Sequence, residues 1–429
     1  MSARAAVIPR TGAPRVIAVV AGLTGINALG AAAGLITGPI LARALGADGR
    51  GDLAAILVPF ALAPYILSVG IPAYAQRELP RGRPVNEVVG SLAVPLVLLG
   101  LLGALAGVPI ADALAEGRST VRLLLLVAFA TLPVLLPGVM LYACLGGLQR
   151  WRAVSVARLT PLFVALAADV VLYAIGRLTV GSAAAFTIIG ALLGLLPSLP
   201  LLREGRPAFV PAIAREGLAF GARTWVGSLA TIVNGRVDQL LMITVVAPRE
   251  LGLYAVATTL AGASTLLVTA VAPPLMARIS AGNPGLLPQA LRMTLAAAFI
   301  INLLLALTAP LLLPLLFGSD FEGAVPMTII LLAAAVPLTG SGVLTAALQA
   351  DGAPLLASMG EGIALVLTLA GLAVALRPWG GVGAAVVSLV SYSASFLYQL
   401  VMAGRRLGEP LRHFLLPVTA DLRLARSWS

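Results

Sequence analysis

Long apolar runs, broken by short arginine-bearing connections, repeat from one end of the chain to the other. A bilayer-crossing helix needs about 20 predominantly apolar residues. Windows of that size predict twelve helices, over 16–42, 53–75, 88–110, 123–145, 159–176, 182–202, 218–246, 252–275, 293–316, 326–348, 356–376 and 383–402. None of the connections exceeds about 16 residues, which leaves no place for an inserted catalytic domain. The first apolar run follows Arg4, Arg10 and Arg15, but it is too long for the core of a signal peptide and is assigned as the first span.

The distribution of arginine orients these helices. With the N-terminus inside and the spans alternating, 19 arginines fall on inner connections and tails, 7 on outer ones, and Arg223 and Arg236 within a span. Such a bias predicts cytoplasmic termini and an even number of spans.

The chain also matches itself at an offset near 201 residues. Gly51-Asp52-Leu53-Ala54 falls on Gly252-Leu253-Tyr254-Ala255, Pro72 on Pro273 and Arg77 on Arg278. Leu148-Gln149 falls on Leu348-Gln349 at an offset of 200. Six predicted helices separate equivalent points, so the copies share one orientation. The expected architecture is an all-α polytopic membrane protein of two six-helix lobes, related by an axis along the membrane normal, with a substrate site between them. Its parts are a cytoplasmic tail over 1–15, an N-lobe over 16–202, a cytoplasmic linker over 203–217, a C-lobe over 218–402 and a cytoplasmic tail over 403–429.

Composition narrows the function. The 429 residues are 60% hydrophobic and 10% charged, and mean hydropathy is +1.03. A soluble domain carries about 25% charged residues, so a water-soluble enzyme is excluded. All 28 basic residues are arginine, and the net charge is +11. They lie in short clusters between apolar runs and not on one soluble face, which speaks against nucleic-acid binding. The single Cys and single His exclude a disulfide framework and a His-rich metal site, and no cofactor or metal is expected. No phosphate-binding loop, paired outer carboxylates or His cluster points to catalysis.

Ionisable residues inside predicted spans are the sharpest functional signal, because a buried charge costs several kcal/mol unless it meets a partner or a polar cavity. In the seventh span, Asn234 and Asp238 are four apart and share a helical face, with Arg236 about 200° away. Arg236 is a candidate anion contact for substrate, alongside Asn234, with Asp238 pairing to a neighbouring helix. The competing assignment is a structural Arg236–Asp238 ion pair. Arg223 is either an anion contact at the inner mouth or a side chain snorkelling to the interface. Asp169 lies near mid-membrane, where a carboxylate is protonated or partnered, and is a candidate for proton coupling or for a hydrogen bond between helices. Glu361, near the inner end of the eleventh span, is a third candidate for ion coupling or pairing.

Two runs resemble a known family. They are Gly38-Pro39-Ile40-Leu41-Ala42-Arg43-Ala44-Leu45-Gly46-Ala47-Asp48-Gly49-Arg50-Gly51, and Asn234-Gly235-Arg236-Val237-Asp238-Gln239-Leu240-Leu241 followed by Leu251-Gly252-Leu253-Tyr254-Ala255-Val256-Ala257. Both are similar to signatures of polysaccharide and O-antigen flippases in the multidrug/oligosaccharidyl-lipid/polysaccharide (MOP) superfamily. The resemblance implies a V-shaped pair of lobes that moves a polyprenyl-pyrophosphate-linked oligosaccharide, or a related envelope glycan precursor, outward by alternating access. Membrane lipids, a coupling proton or sodium ion, and glycan-assembly enzymes are the implied partners. The first span lacks the arginine common in lipid II flippases and the carboxylate common in drug antiporters, and Arg236 stands where the polysaccharide branch often carries a basic residue. A multidrug or organic-cation antiporter is the alternative, with an envelope-glycan polymerase or ligase behind it.

Overall fold

The computed structural model describes residues 13–280 and 284–415. Contacts divide the chain into two units: the first takes residues up to Ala33 and Ile56–Leu229, the second Gly34–Ala55 and Ala230 onward. This division differs from the predicted one in two respects. It falls at 229/230 and not within 203–217, and the stretch 34–55 belongs to the second unit. All described regular structure is helical.

The first unit holds both ends of α1 (Ala13–Leu67), up to Ala33 and from Ile56, then α2 (Ile71–Glu78), α3 (Val85–Ala115), α4 (Ser119–Ala130), α5 (Leu132–Gly147), α6 (Trp151–Ala174), α7 (Val180–Leu193) and most of α8 (Pro211–Asn234). Small residues on one face of α3 let its neighbours close in. A Cβ on Gly100 would stand 2.6 Å from the Cα of Pro133, and one on Gly107 would meet the Phe129 ring at 2.5 Å. In lipid, where apolar burial supplies no drive for helices to associate, such backbone proximity is a main source of packing energy. The predicted fourth span is bent by 49° between α4 and α5, where Pro133 follows the break at Thr131.

At one end of this unit Glu78 is buried among arginines, with Arg77 at 3.6 Å, Arg81 at 2.8 Å and Arg83 at 3.1 Å. Arg83 also reaches Glu216 at 2.6 Å, and Tyr74 Oη donates to the same carboxylate at 2.7 Å. These hydrogen bonds, Tyr74 first and Arg83 second, hold the Glu216 carboxyl below its ordinary range. They fasten α2 to α8, where Gly70 and Gly221 meet so closely that a Cβ on Gly221 would stand 2.3 Å from the Val69 carbonyl oxygen.

The second unit contains α9 (Val237–Met242), α10 (Pro248–Ala261), α11 (Leu266–Ser280), α12 (Leu287–Phe317), α13 (Val325–Ala350), α14 (Pro354–Leu407) and α15 (Arg412–Leu415). α14 runs 54 residues, about 80 Å if straight. It is a hairpin instead. A Cβ on Gly371 would meet Val387 at 2.8 Å, and one on Gly360 would meet Gln399 at 2.5 Å, which only doubling back can produce. The turn is Gly380, at φ 50° and ψ −132°, a backbone that favours glycine. Glu250 Oε1 accepts from the Gly381 N–H at 2.7 Å and so caps the returning arm. α1 is broken in the same way at Gly46, at φ 65°, beside the Asp320 carboxylate.

Among the described residues eight helices are long and apolar enough to cross a membrane, nine if α4 and α5 form one span. α14 contains two of the predicted spans on either side of its glycine break, and α1 contains the first predicted span and the part of the second up to Leu67, the remainder running on into α2.

Contacts at Gly38, Arg43, Asp48 and Gly51 are among those that tie the segment 34–55 to the rest of the second unit. Gly38 packs on Phe317 and Thr259. Arg43 donates to the carbonyls of Leu315 (2.5 Å) and Leu316 (3.0 Å), satisfying the free end of α12. Asp48 lies 3.6 Å from Arg249. Gly51 crosses α10 so tightly that a Cβ would stand 1.7 Å from the Pro248 carbonyl oxygen, while a Cβ on Gly252 would stand 1.9 Å from that of Ala47. The sequence offset of 201 places Ala47 on Pro248, Asp48 on Arg249 and Gly51 on Gly252. Equivalent positions of the repeat therefore touch one another, the pattern a local two-fold axis produces.

Gly51→Val and Gly252→Val should each force this crossing apart and destabilise the protein by about 1–3 kcal/mol or more. Gly362→Ala, where a Cβ meets nothing within 4 Å, should be neutral or slightly stabilising. Thermal unfolding of the three variants in detergent checks the contrast.

Candidate functional site

The predicted seventh span is not one helix. α8 ends at Asn234, Gly235 and Arg236 leave helical geometry (Arg236 at φ −146°, ψ −2°), and α9 starts at Val237. The interruption removes the shared face expected of Asn234 and Asp238, because the four-residue rule holds only along continuous helix. The side chain of Asn234 lies outside the described residues. Arg236 is exposed, its Nη1 3.4 Å from Gln239 Oε1, and no ion pair joins it to Asp238 among the described residues. Arg223 is exposed on α8 and Asp169 is buried on α6, both in the first unit. Glu361 is half-buried in the first arm of α14.

Asp238 has a hydrogen-bond partner on each carboxylate oxygen. It is 6% exposed. Its Oδ2 accepts from Tyr254 Oη at 2.5 Å and its Oδ1 from the Gln239 N–H at 2.7 Å. Tyr254 Oη lies 3.5 Å from Ser388 Oγ, and Gln239 Nε2 donates to Thr258 Oγ1 at 3.2 Å. The break that exposes Arg236 thus turns Asp238 inward onto α10 and α14.

From Ser388 a polar stripe continues down the second arm of α14 through Ser391, Ser395 and Gln399, all buried. At its far end Thr345 Oγ1 donates to Gln399 Oε1 at 3.2 Å, and Gln399 Nε2 donates to the Ala357 carbonyl at 3.5 Å. The hydroxyls of Ser391 and Ser395 have no protein partner among the described residues. A carboxylate, a phenol and a line of hydroxyls are hard oxygen donors, suited to a proton or a small hard cation. Sequence reading singled out Asp238 and missed Tyr254 and this stripe. The signal was present: polar residues at 388, 391, 395 and 399 recur at helical spacing in an otherwise apolar run.

A family pattern described as polysaccharide biosynthesis protein matches residues 17–280. A search of curated proteins finds no match. Among solved structures, the lipid II flippase MurJ in an inward closed conformation superposes with a TM-score of 0.76 at 14% identity, covering 91% of this chain and 89% of that one. An inward-facing multidrug resistance MATE family transporter of the MOP superfamily gives 0.66 at 14% identity, covering 88% and 94%. A MOP superfamily transporter from Pyrococcus furiosus gives 0.56 at 15% identity, covering 91% and 95%. At these identities the structural likeness is one of fold. The family pattern covers more than half of the chain, including both runs that carry the resemblance, and the chain therefore belongs to the polysaccharide biosynthesis protein family, built on the MOP-superfamily fold.

Proposed function

We propose that this integral membrane protein is a flippase for a polyprenyl-(pyro)phosphate-linked oligosaccharide or a related cell-envelope glycan precursor, working by alternating access. The family membership carries this reading. Its substrate would bring a phosphate or pyrophosphate into a low-dielectric path, and something must balance that charge. Arg236 suits that role, because it is exposed at a helix break in an apolar chain and no ion pair among the described residues engages it. Arg223, also exposed, is the second candidate, with Asn234 beside Arg236 as a polar contact. A MATE-type organic-cation antiporter is the second reading, favoured by the buried Asp238 carboxylate and by the MATE structural neighbours. Vesicles loaded with organic cations separate the two, since only the antiporter reading expects efflux.

Cytoplasmic termini form part of the proposal. The ion pairs Asp112–Arg122, Arg150–Glu204, Arg249–Asp320 and Asp351–Arg406 each join two groups that the alternating assignment puts on the same side. Reporter fusions after Arg81, Arg152, Arg206 and Arg412 should report cytoplasm, and fusions near Asp48, Glu116, Arg249 and Asp320 the exterior. Two or more inverted sites overturn this topology.

Arg236→Ala should lower flipping of a fluorescent polyprenyl-pyrophosphate oligosaccharide in vesicles about tenfold or more, the scale of one charge-assisted hydrogen bond. Membrane abundance should stay at the wild-type level. A fall in abundance with unchanged flipping per molecule would instead assign Arg236 a structural role.

Asp169 is proposed as the coupling carboxylate, protonated from outside and deprotonated inside once per cycle. Asp169→Asn keeps the shape of the hydrogen-bonding group and should leave thermal unfolding near wild type. Flipping should lose its response to an imposed pH gradient. Retained response at the wild-type rate would move coupling to Asp238 and its stripe, to Glu361, or away from any ion.

A further inference from the structure

The second unit carries a groove of about 790 Å³ walled by α12, α13 and the second arm of α14, with Phe414 of α15 at its base. We infer that this groove binds an anionic phospholipid, with one acyl chain in the groove and the phosphate on Arg292. The inference does not depend on the transported substrate.

Three observations carry it. The first is the lining, which is apolar except for Arg292 and Ser393. Nothing else in it can hydrogen-bond a sugar, so a glycan-bearing ligand finds no recognition there, whereas an alkyl chain fits throughout.

The second is position. Arg292 stands near the start of α12, and Phe299, also in the lining, lies two turns deeper. Beyond it the same helix presents Leu304, Leu307 and Leu311, which are 58%, 71% and 70% exposed. Side chains of that size left exposed on a 31-residue apolar helix face lipid, so the groove opens to the bilayer and its charged end lies at headgroup depth.

The third is charge. Arg292 Nη1 donates to the His413 carbonyl, which holds the guanidinium at the groove end. Arg412 neighbours that anchor in the chain, and Arg405 follows Gly404, whose Cβ would meet Leu411 and Phe414 at 3.2 and 3.8 Å. Both arginines are exposed. The Glu409 carboxylate of this segment is taken up by His413 Nδ1 at 2.8 Å. A planar guanidinium on a segment that also carries exposed Arg405 and Arg412 favours a phosphodiester of net negative charge over one whose charge a choline cation cancels.

The wall has a structural cause. Pro337 cannot supply the N–H that would bond the Ala333 carbonyl, and both residues line the groove. Ala296 and Ala333 leave the opposing faces recessed.

The test uses the full chain in nanodiscs of phosphatidylcholine doped with phosphatidylglycerol, with retained lipid counted by native mass spectrometry. Wild type should retain phosphatidylglycerol in preference to phosphatidylcholine. Arg292→Ala should lower that retention about tenfold. Because it also releases His413, Ala296→Phe serves as the second variant: it fills the groove from an exposed position without touching Arg292, and should lower retention with unchanged thermal unfolding. Equal retention of the two lipids by wild type overturns the proposal, as does an Ala296→Phe protein that keeps its phosphatidylglycerol. Displacement by polyprenyl phosphate at equal concentration would assign the groove to the substrate and overturn it. So would a dimer that Ala296→Phe dissociates, which would make the groove a subunit interface.

Discussion

Two helices that cross with glycine against backbone carbonyl leave room for no side chain, and the crossing of α1 and α10 is of this kind. Gly51 lies on Pro248, and Gly252 lies on Ala47, each at a distance that forbids a Cβ. Lipid gives helices no hydrophobic reason to associate, so van der Waals packing at closest approach has to do so. The rest of the architecture at this end of the second unit follows from this contact. Once α1 is brought to α10, Arg43 reaches the free carbonyls of α12, Asp48 reaches Arg249, and Gly46 must break the helix to let the chain leave. The neighbouring residues are drawn into the same end: Arg249 lies 3.6 Å from Asp320, and Glu250 caps the return of α14. That the touching positions are equivalents of one repeat explains how both sides came to carry the small residue.

The second constraint is that polar atoms inside an apolar chain need partners. The first unit meets it at its end, where Glu78 sits among three arginines and Glu216 takes hydrogen bonds from Tyr74 and Arg83. The second unit meets it in the interior, with Asp238 on Tyr254 and Gln399 on Thr345. Between those two anchored ends Ser391 and Ser395 contribute hydroxyls without protein partners among the described residues. The seam is therefore satisfied at its ends and open in its middle, and in a low-dielectric interior unmet hydroxyls of this kind are costly.

Much of this was legible in the sequence. Apolar runs of membrane-crossing length announce α3, α6, α12 and α13, because no period is needed to recognise them. The repeat announced the equivalence of Gly51 with Gly252. The breaks were not legible. Gly235 reads as one more glycine in a class of helix that tolerates many, so the division between α8 and α9 was invisible, and with it the loss of the face that Asn234 and Asp238 were expected to share. The assignment of residues 34–55 to the second unit was hidden for a different reason. It rests on contacts across some 200 residues of chain, and no local pattern records which distant helix a glycine is shaped to meet. Tyr254 was hidden by its chemistry: in sequence an aromatic residue in a span is first a packing group, and only the 2.5 Å contact with Asp238 makes it a polar one.

The signature run explains why family membership fixes the fold more sharply than the substrate. Gly38, Arg43, Gly46, Ala47, Asp48 and Gly51 are each occupied by a contact inside the second unit. Those contacts constrain residue type through backbone distance and helix-end chemistry, demands that do not change with cargo. Residues that meet cargo are under no such demand and can vary while the scaffold stays the same. In this chain they are to be sought where a polar side chain is exposed with no helix end, break or ion pair to serve. Arg223 meets that condition on α8. Arg236 meets it in part, since Gly235 can make the break without help and the side chain's hydrogen bond across it, to Gln239 Oε1, is long at 3.4 Å. In a chain that is only 10% charged, a cation at such a place is what the proposed flippase reading needs for a contact outside the fold.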